Sequence, residues 1–242
     1  MQGGAPSSFM TNLNDLPNIS DFKETSVLPV LLLGILFIDV FVLFLTRYYQ
    51  IGGKSLNLWY DTFGLEGVIA DVGIIFIGFL LAQYLYSFYV APIYGWSPFL
   101  FVTLLVVIQL LHDIGFYYGV ILPIPKGHNA MIDTYKVYAE ENGGMILAGD
   151  ALLMIGSAIA TFGLLSLPTP VTIFVGALTV YALPHILNTK MRPSTADLIR
   201  SMEKEKEEGK QKQQPTYSTN SWNTLMPSVQ SNKVPAVEKP WL

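Results

Sequence analysis

QLLHDIGFYYGVILPIPKGHNAMIDTYKVYAEENGGMILAGDALLMIGSA, residues 109–158, sets the terms for the whole chain. Both ends are apolar and helix-like, and between them lies a turn-rich segment with two prolines and a Lys-Gly pair. His112, Asp113 and Asp150 sit inside the apolar ends. There a charge costs ~2.5–3.5 kcal/mol at the centre of a membrane helix unless it has a partner or a task. Working outward, hydrophobic residues make up 51% of the 242 and charged ones 13%, with a mean hydropathy of +0.43. A water-soluble domain does not have this balance. With no cysteine, disulfides, thiol catalysis and Cys-ligated zinc are excluded. Residues 1–26 carry neither a basic leader nor a cleavage site, and Gln2 follows Met1 where myristoylation needs glycine, so the first apolar segment is expected to stay and no lipid anchor is expected.

Five apolar runs approach or exceed the ~20 residues that cross a hydrocarbon core: 27–49, 68–89, 98–122, 145–167 and 170–187. Pro29 and Pro98 fall in first helical turns, where a missing N–H does no harm. The segment 167–170, with Pro168 and Pro170, leaves room only for a tight hairpin between spans four and five. Tyr48, Tyr49, Trp59, Tyr60, Tyr94 and Trp96 gather near span ends, as amphipathic rings do at headgroup level. Of 14 Lys and Arg, all but Lys23 fall in the first loop, the third loop or the C-terminal tail. The positive-inside rule then puts the N-terminus on the lumenal side and the C-terminus in the cytosol. Asn18-Ile19-Ser20 is consequently a lumenal glycosylation sequon, a weak signal in itself.

In the third loop, Met131, Tyr135 and Tyr138 recur at helical spacing with Asp133, Lys136, Glu140 and Glu141 on other faces, which predicts a short helix lying at the membrane surface. Gly143-Gly144 then frees the chain to turn back into the bilayer. Beyond residue 189 the composition becomes polar; 194–209 has the cap and charge pattern of a short helix, and 210–242 is rich in Gln, Ser, Asn and Pro, too polar to fold alone. The expected architecture is an all-α membrane protein: a lumenal segment (1–26), a five-span bundle (27–189) with an interfacial helix, and a long extended tail (190–242).

Four spans carry one aspartate each: Asp39, Asp71, Asp113 and Asp150. At about 1.5 Å per residue they lie roughly 5 Å (Asp71), 8 Å (Asp150) and 15 Å (Asp113, Asp39) from the cytosolic ends, so a polar cluster with His112 is geometrically open. It reads either as an ion or proton path or as hydrogen-bonded glue between helices. Glue is the expectation, because Asp71 and Asp150 are shallow enough to stay partly hydrated. Gly115 and Gly119 in span three, and Gly156 with Ala160 in span four, are small-xxx-small steps that permit close helix approach. No HExxH, GxSxG or Gly-rich phosphate loop occurs, and His128 with Asp133 is poorly spaced for a metal. No catalytic residue, metal site or cofactor is expected, and the chain is not expected to be an enzyme.

The segments 56–86 and 109–157, through Trp59-Tyr60, Ala70-Asp71, His112-Asp113, Pro125-Lys126-Gly127 and Gly149-Asp150, resemble a multi-pass virion membrane protein family of the nucleocytoplasmic large DNA viruses, the phycodnaviruses and mimivirus relatives among them. The likeness covers about half the chain, residues 56–187. It implies an internal virion membrane beneath an icosahedral capsid, reached from host endomembrane, and brings no catalytic assignment. The cytosolic tail, 190–242, would then face the shell, with Tyr217, Trp222 and Trp241 as anchors for major or minor capsid proteins. The expected partners are therefore the lipid bilayer and capsid proteins, and not nucleic acid. The expectation from another class is an ion channel or proton-coupled transporter built on Asp39, His112 and Asp113.

Overall fold

The computed structural model describes residues 15–189. The described residues form helices joined by short links, in the order α1 (Leu28–Tyr49), α2 (Gly53–Phe63), α3 (Leu65–Leu85), α4 (Ala91–Tyr94), α5 (Pro98–Phe116), α6 (Ala130–Asn142), α7 (Met145–Leu165) and α8 (Thr169–Leu187). Five helical stretches are long and apolar enough to cross a membrane: Thr25–Tyr49, Leu65–Tyr94, Pro98–Ile121, Met145–Leu165 and Thr169–Leu187. They match the five expected runs, with the second longer at both ends. Its extension is possible because a π-helical turn at Tyr86–Val90 carries the helix on into α4 past Pro92, which has no N–H to contribute. A second π-turn, Tyr117–Ile121, completes the third span. The expected charged helix at 194–209 and the tail anchors Tyr217, Trp222 and Trp241 lie outside the described residues.

The core is built from α1, α3, α5 and α7, with Leu31, Ile35, Leu43, Phe79, Phe101, Leu105 and Met154 all fully buried. The outward faces stay apolar: Ile69, Ile77, Phe99, Leu111, Leu152, Ile173 and Phe174 are all largely exposed, a surface suited to lipid rather than water. Close approach of backbones falls on α1 and α7. A Cβ at Gly34 would come within 2.4 Å of Thr161 Oγ1 and 3.1 Å of the Thr161 backbone N, so only glycine lets these helices meet there. The small-residue steps behave differently from one another. A Cβ at Gly156 would be in ordinary contact with Ile38, at 3.4 Å, whereas a Cβ at Gly115 or Gly119 would meet nothing within 4 Å; the span-three step meets α6 through Phe116 and Tyr135 instead of through its glycines. Ala160 is half-buried beside Thr161.

The two ends of the bundle are closed by different means. At one end the segment before α1 is strapped across the end of α3: Gln83 Nε2 donates to the Ile19 carbonyl at 2.7 Å, Ser87 Oγ to that of Ser20 at 2.7 Å, and Trp96 Nε1 to that of Leu16 at 3.0 Å. Asn18 Oδ1 accepts from the backbone and hydroxyl of Ser20, so the sequon forms a local turn with its serine buried. At the other end α2 and α6 pack against each other as a two-helix cap. The loop-three helix was expected at the surface and exists; α2, its partner, was not foreseen.

Candidate functional site

One carboxylate caps the start of α2. The first N–H groups of a helix have no internal partner, and α2 begins at Gly52-Gly53, both with positive φ, without a capping side chain of its own. Glu141 of α6 supplies it: the backbone N–H of Lys54 donates to Oε1 at 3.0 Å and that of Ser55 to Oε2 at 2.7 Å. The Ser55 hydroxyl, followed by these backbone bonds, holds the Glu141 carboxyl below the usual carboxylate range. Asn142 adds bonds to the Gly52 carbonyl and to Ser55 Oγ, both at 3.3 Å. A Cβ at Gly53 would come within 2.5 Å of Glu141 Oε1, so any other residue there would push the carboxylate aside.

Beneath this cap the aspartates converge. Trp59 of α2, buried against Tyr135 of α6 with ring centroids 4.8 Å apart, donates its indole N–H to Asp71 Oδ2 at 3.1 Å. The Tyr60 hydroxyl also lies against Asp71. Asp39 of α1 neighbours Asp71 closely enough for their charges to repel. It is 1% exposed, and its Oδ2 has no hydrogen-bond partner. On the other flank, Gln109 Nε2 donates to Asp113 Oδ1 at 2.7 Å, and His112 Nδ1 lies 3.1 Å from the same oxygen. Phe116 stacks on the His112 ring, their centroids 5.5 Å apart. Asp150 of α7 faces Asp113 and lies within charge range of Asp71. The carboxyls therefore form a string, His112–Asp113–Asp150–Asp71–Asp39, across four helices. Because α3 begins at Leu65, Asp71 is about 9 Å from that end, deeper than its sequence-based depth.

Three tyrosines line the string from the cap. Burial and the nearby carboxylates push the Tyr60 and Tyr135 phenols above their ordinary range, and that of Tyr138 up to about 12. Each stays a hydrogen-bond donor at any ordinary pH.

Arg47 stands apart from the acids. Its guanidinium, 4% exposed, pairs with Asp61 Oδ1 at 2.7 Å, donates to Asn57 Oδ1 at 3.1 Å, and donates to the Leu187 carbonyl at 3.0 Å. It thus joins the ends of α1, α2 and α8. His128 and His185 are exposed, and Asp133 accepts from the Gly127 backbone N–H at 2.8 Å. Among the described residues no three of His, Asp and Glu are placed to hold a metal ion.

The aspartates and His112 were legible as intramembrane polar residues; Trp59, Tyr60, Tyr135, Tyr138 and Gln109 were not assigned to them. The available signal was that all four aromatic residues carry a polar atom, with Tyr135 and Tyr138 on one helical face beside acid-bearing spans. Comparison with protein-family models, with curated proteins and with solved structures gave no match.

Proposed function

We propose that this chain is a structural integral membrane protein of a large DNA virus, tethering an internal viral membrane to the capsid through residues 190–242. One observation carries the reading. α8 ends beside the α2–α6 cap, with Arg47 on the Leu187 carbonyl and Tyr48 Oη 3.5 Å from Thr189 Oγ1. Both lysine-bearing loops and the start of the polar tail therefore share one end of the bundle. This supports an arrangement in which that end faces the cytosol during assembly and the shell afterwards. In the tail, Tyr217, Trp222 and Trp241 offer aromatic anchors to capsid pockets. The bundle beneath has the character of a fixture: packed core, apolar outer face, both ends tied. Deleting residues 211–242 should sharply reduce the amount of protein in sealed virions; normal incorporation would sink the tether.

The transporter reading draws on the same acid string. It also needs a polar route through the other half of the bundle, where Phe79, Phe101 and Leu105 are fully buried. A proteoliposome flux assay with Asp113→Asn separates the two, since a transporter loses flux and a tether has none to lose.

A further inference from the structure

We propose that Asp39, Asp71, Asp113 and Asp150 form one proton-binding site, loaded from the α2–α6 end of the bundle and closed toward the other end by packed apolar side chains. The ligand is the proton, and the proposal stands independently of the tether.

Three observations meet here. The first is the orphaned oxygen. Asp39 Oδ2 is enclosed, without a donor, on a residue 1% exposed, and it belongs to a carboxyl that neighbours another. Two like charges, one on the buried Asp39 and one on the half-buried Asp71 beside it, are disfavoured without a cation or a proton between them. The buried guanidinium at this end, Arg47, is committed to Asp61, Asn57 and the Leu187 carbonyl. Metal coordination by three or more such groups does not arise among the described residues. A proton removes the buried charge without any further ligand.

The second observation is the surroundings. From α2, Trp59 and Tyr60 face Asp71; from α6, Tyr135 and Tyr138 lie within charge range of Asp71 and Asp150. From α5, Gln109 and His112 hold Asp113. Every group except His112 is acidic or a neutral donor, and the His112 side chain, 35% exposed, is the outermost member. Donors fix the carboxyl orientations without neutralising them, so the charge has to be settled by proton uptake. The third observation is direction. Asp71 and Asp150 lie about 8–9 Å from the capped end, while deeper than Asp39 the interior holds Phe79, Phe101 and Leu105, all at 0% exposure, with Ser157 and Thr161 of α7, where the Thr161 hydroxyl is turned back onto the Ser157 carbonyl. Protons enter and leave by the same end.

Infrared difference spectra of the full chain in lipid nanodiscs, titrated across pH, test this. A carbonyl stretch of protonated carboxylic acid should be present at neutral pH and vanish on alkaline titration. Asp39→Asn and Asp71→Asn should each lose part of it, and Glu140→Gln, an exposed acid of the cap, should lose none. The same protein in proteoliposomes should leak protons no faster than empty liposomes. A wild-type spectrum without protonated carboxyl at neutral pH overturns the site, whatever the variants do. A band untouched by substitution of any of the four aspartates overturns the assignment, and proton flux above the empty-liposome level overturns the closure.

Discussion

The two halves of this bundle solve the same problem with opposite chemistry. In the half nearer the strap, the helices pack largely through apolar side chains, among them Phe79 against Phe101 at 6.4 Å and Phe101 against Tyr86 at 5.5 Å, with the strap's hydrogen bonds at the end itself. In the half nearer the cap, the same helices are joined by carboxyls, an indole and phenols. Inside a bilayer the lipid is as apolar as the core, so the first half depends on shape and dispersion and the second on hydrogen bonds. The first should therefore punish loss of volume and the second loss of a donor or of fit.

Phe79→Ala strikes the apolar half hardest. A phenyl ring with no exposure leaves a cavity costing about 3–5 kcal/mol, and reversible unfolding in mixed micelles should record it; a loss below about 1 kcal/mol would mean that half is not tightly packed. Next comes Arg47→Ala at the capped end, expected to cost about 2 kcal/mol through the unpaired Asn57 and Leu187 carbonyl groups, discounted because Asp61 is half exposed. Gly34→Ala should cost about 1–2 kcal/mol, since the new methyl meets the Thr161 backbone. Gly115→Ala is expected to be neutral or to stabilise by up to about 1 kcal/mol; if the two variants behave alike, α1 and α7 are not where the helices come closest. The smallest effect is at Glu141. Its carboxyl is held low by the fold, so its contribution is present at neutral pH and is lost as pH falls through the lowered folded value. Glu141→Ala should speed hydrogen exchange at the Lys54 and Ser55 amides at neutral pH and erase its acid dependence, leaving the exchange of core spans unchanged.

The five long helices were legible because a bilayer-length apolar run has few alternatives. So was α6, whose apolar positions repeat at helical spacing. α2 was hidden: its sequence, GKSLNLWYDTF, spends its aromatic residues on α6 and on Asp71, and Trp59 and Tyr60 read equally well as headgroup-level rings. In the GxxxG step of span three, a Cβ at either glycine would meet nothing within 4 Å. Glycine spacing marks where helices can approach, and only tertiary structure decides that Gly34 and Thr161 do so. The aspartates were visible as a set at similar depth, yet their pairing, Asp39 with Asp71 and Asp113 with Asp150, depends on helix rotation that composition does not encode.

The Arg47 clamp also has a mechanical meaning. α8 touches the rest of the bundle chiefly along α1, through Gly176 on Leu33 and, at its far end, through the Leu187 carbonyl. A pull applied to the chain after Thr189 would reach that carbonyl first. Arg47 would divide the load between α1, on which it stands, and α2, through Asn57 and Asp61. Such a pull would thus meet α1 and α2 as well as α8, through the one side chain that ties their ends together.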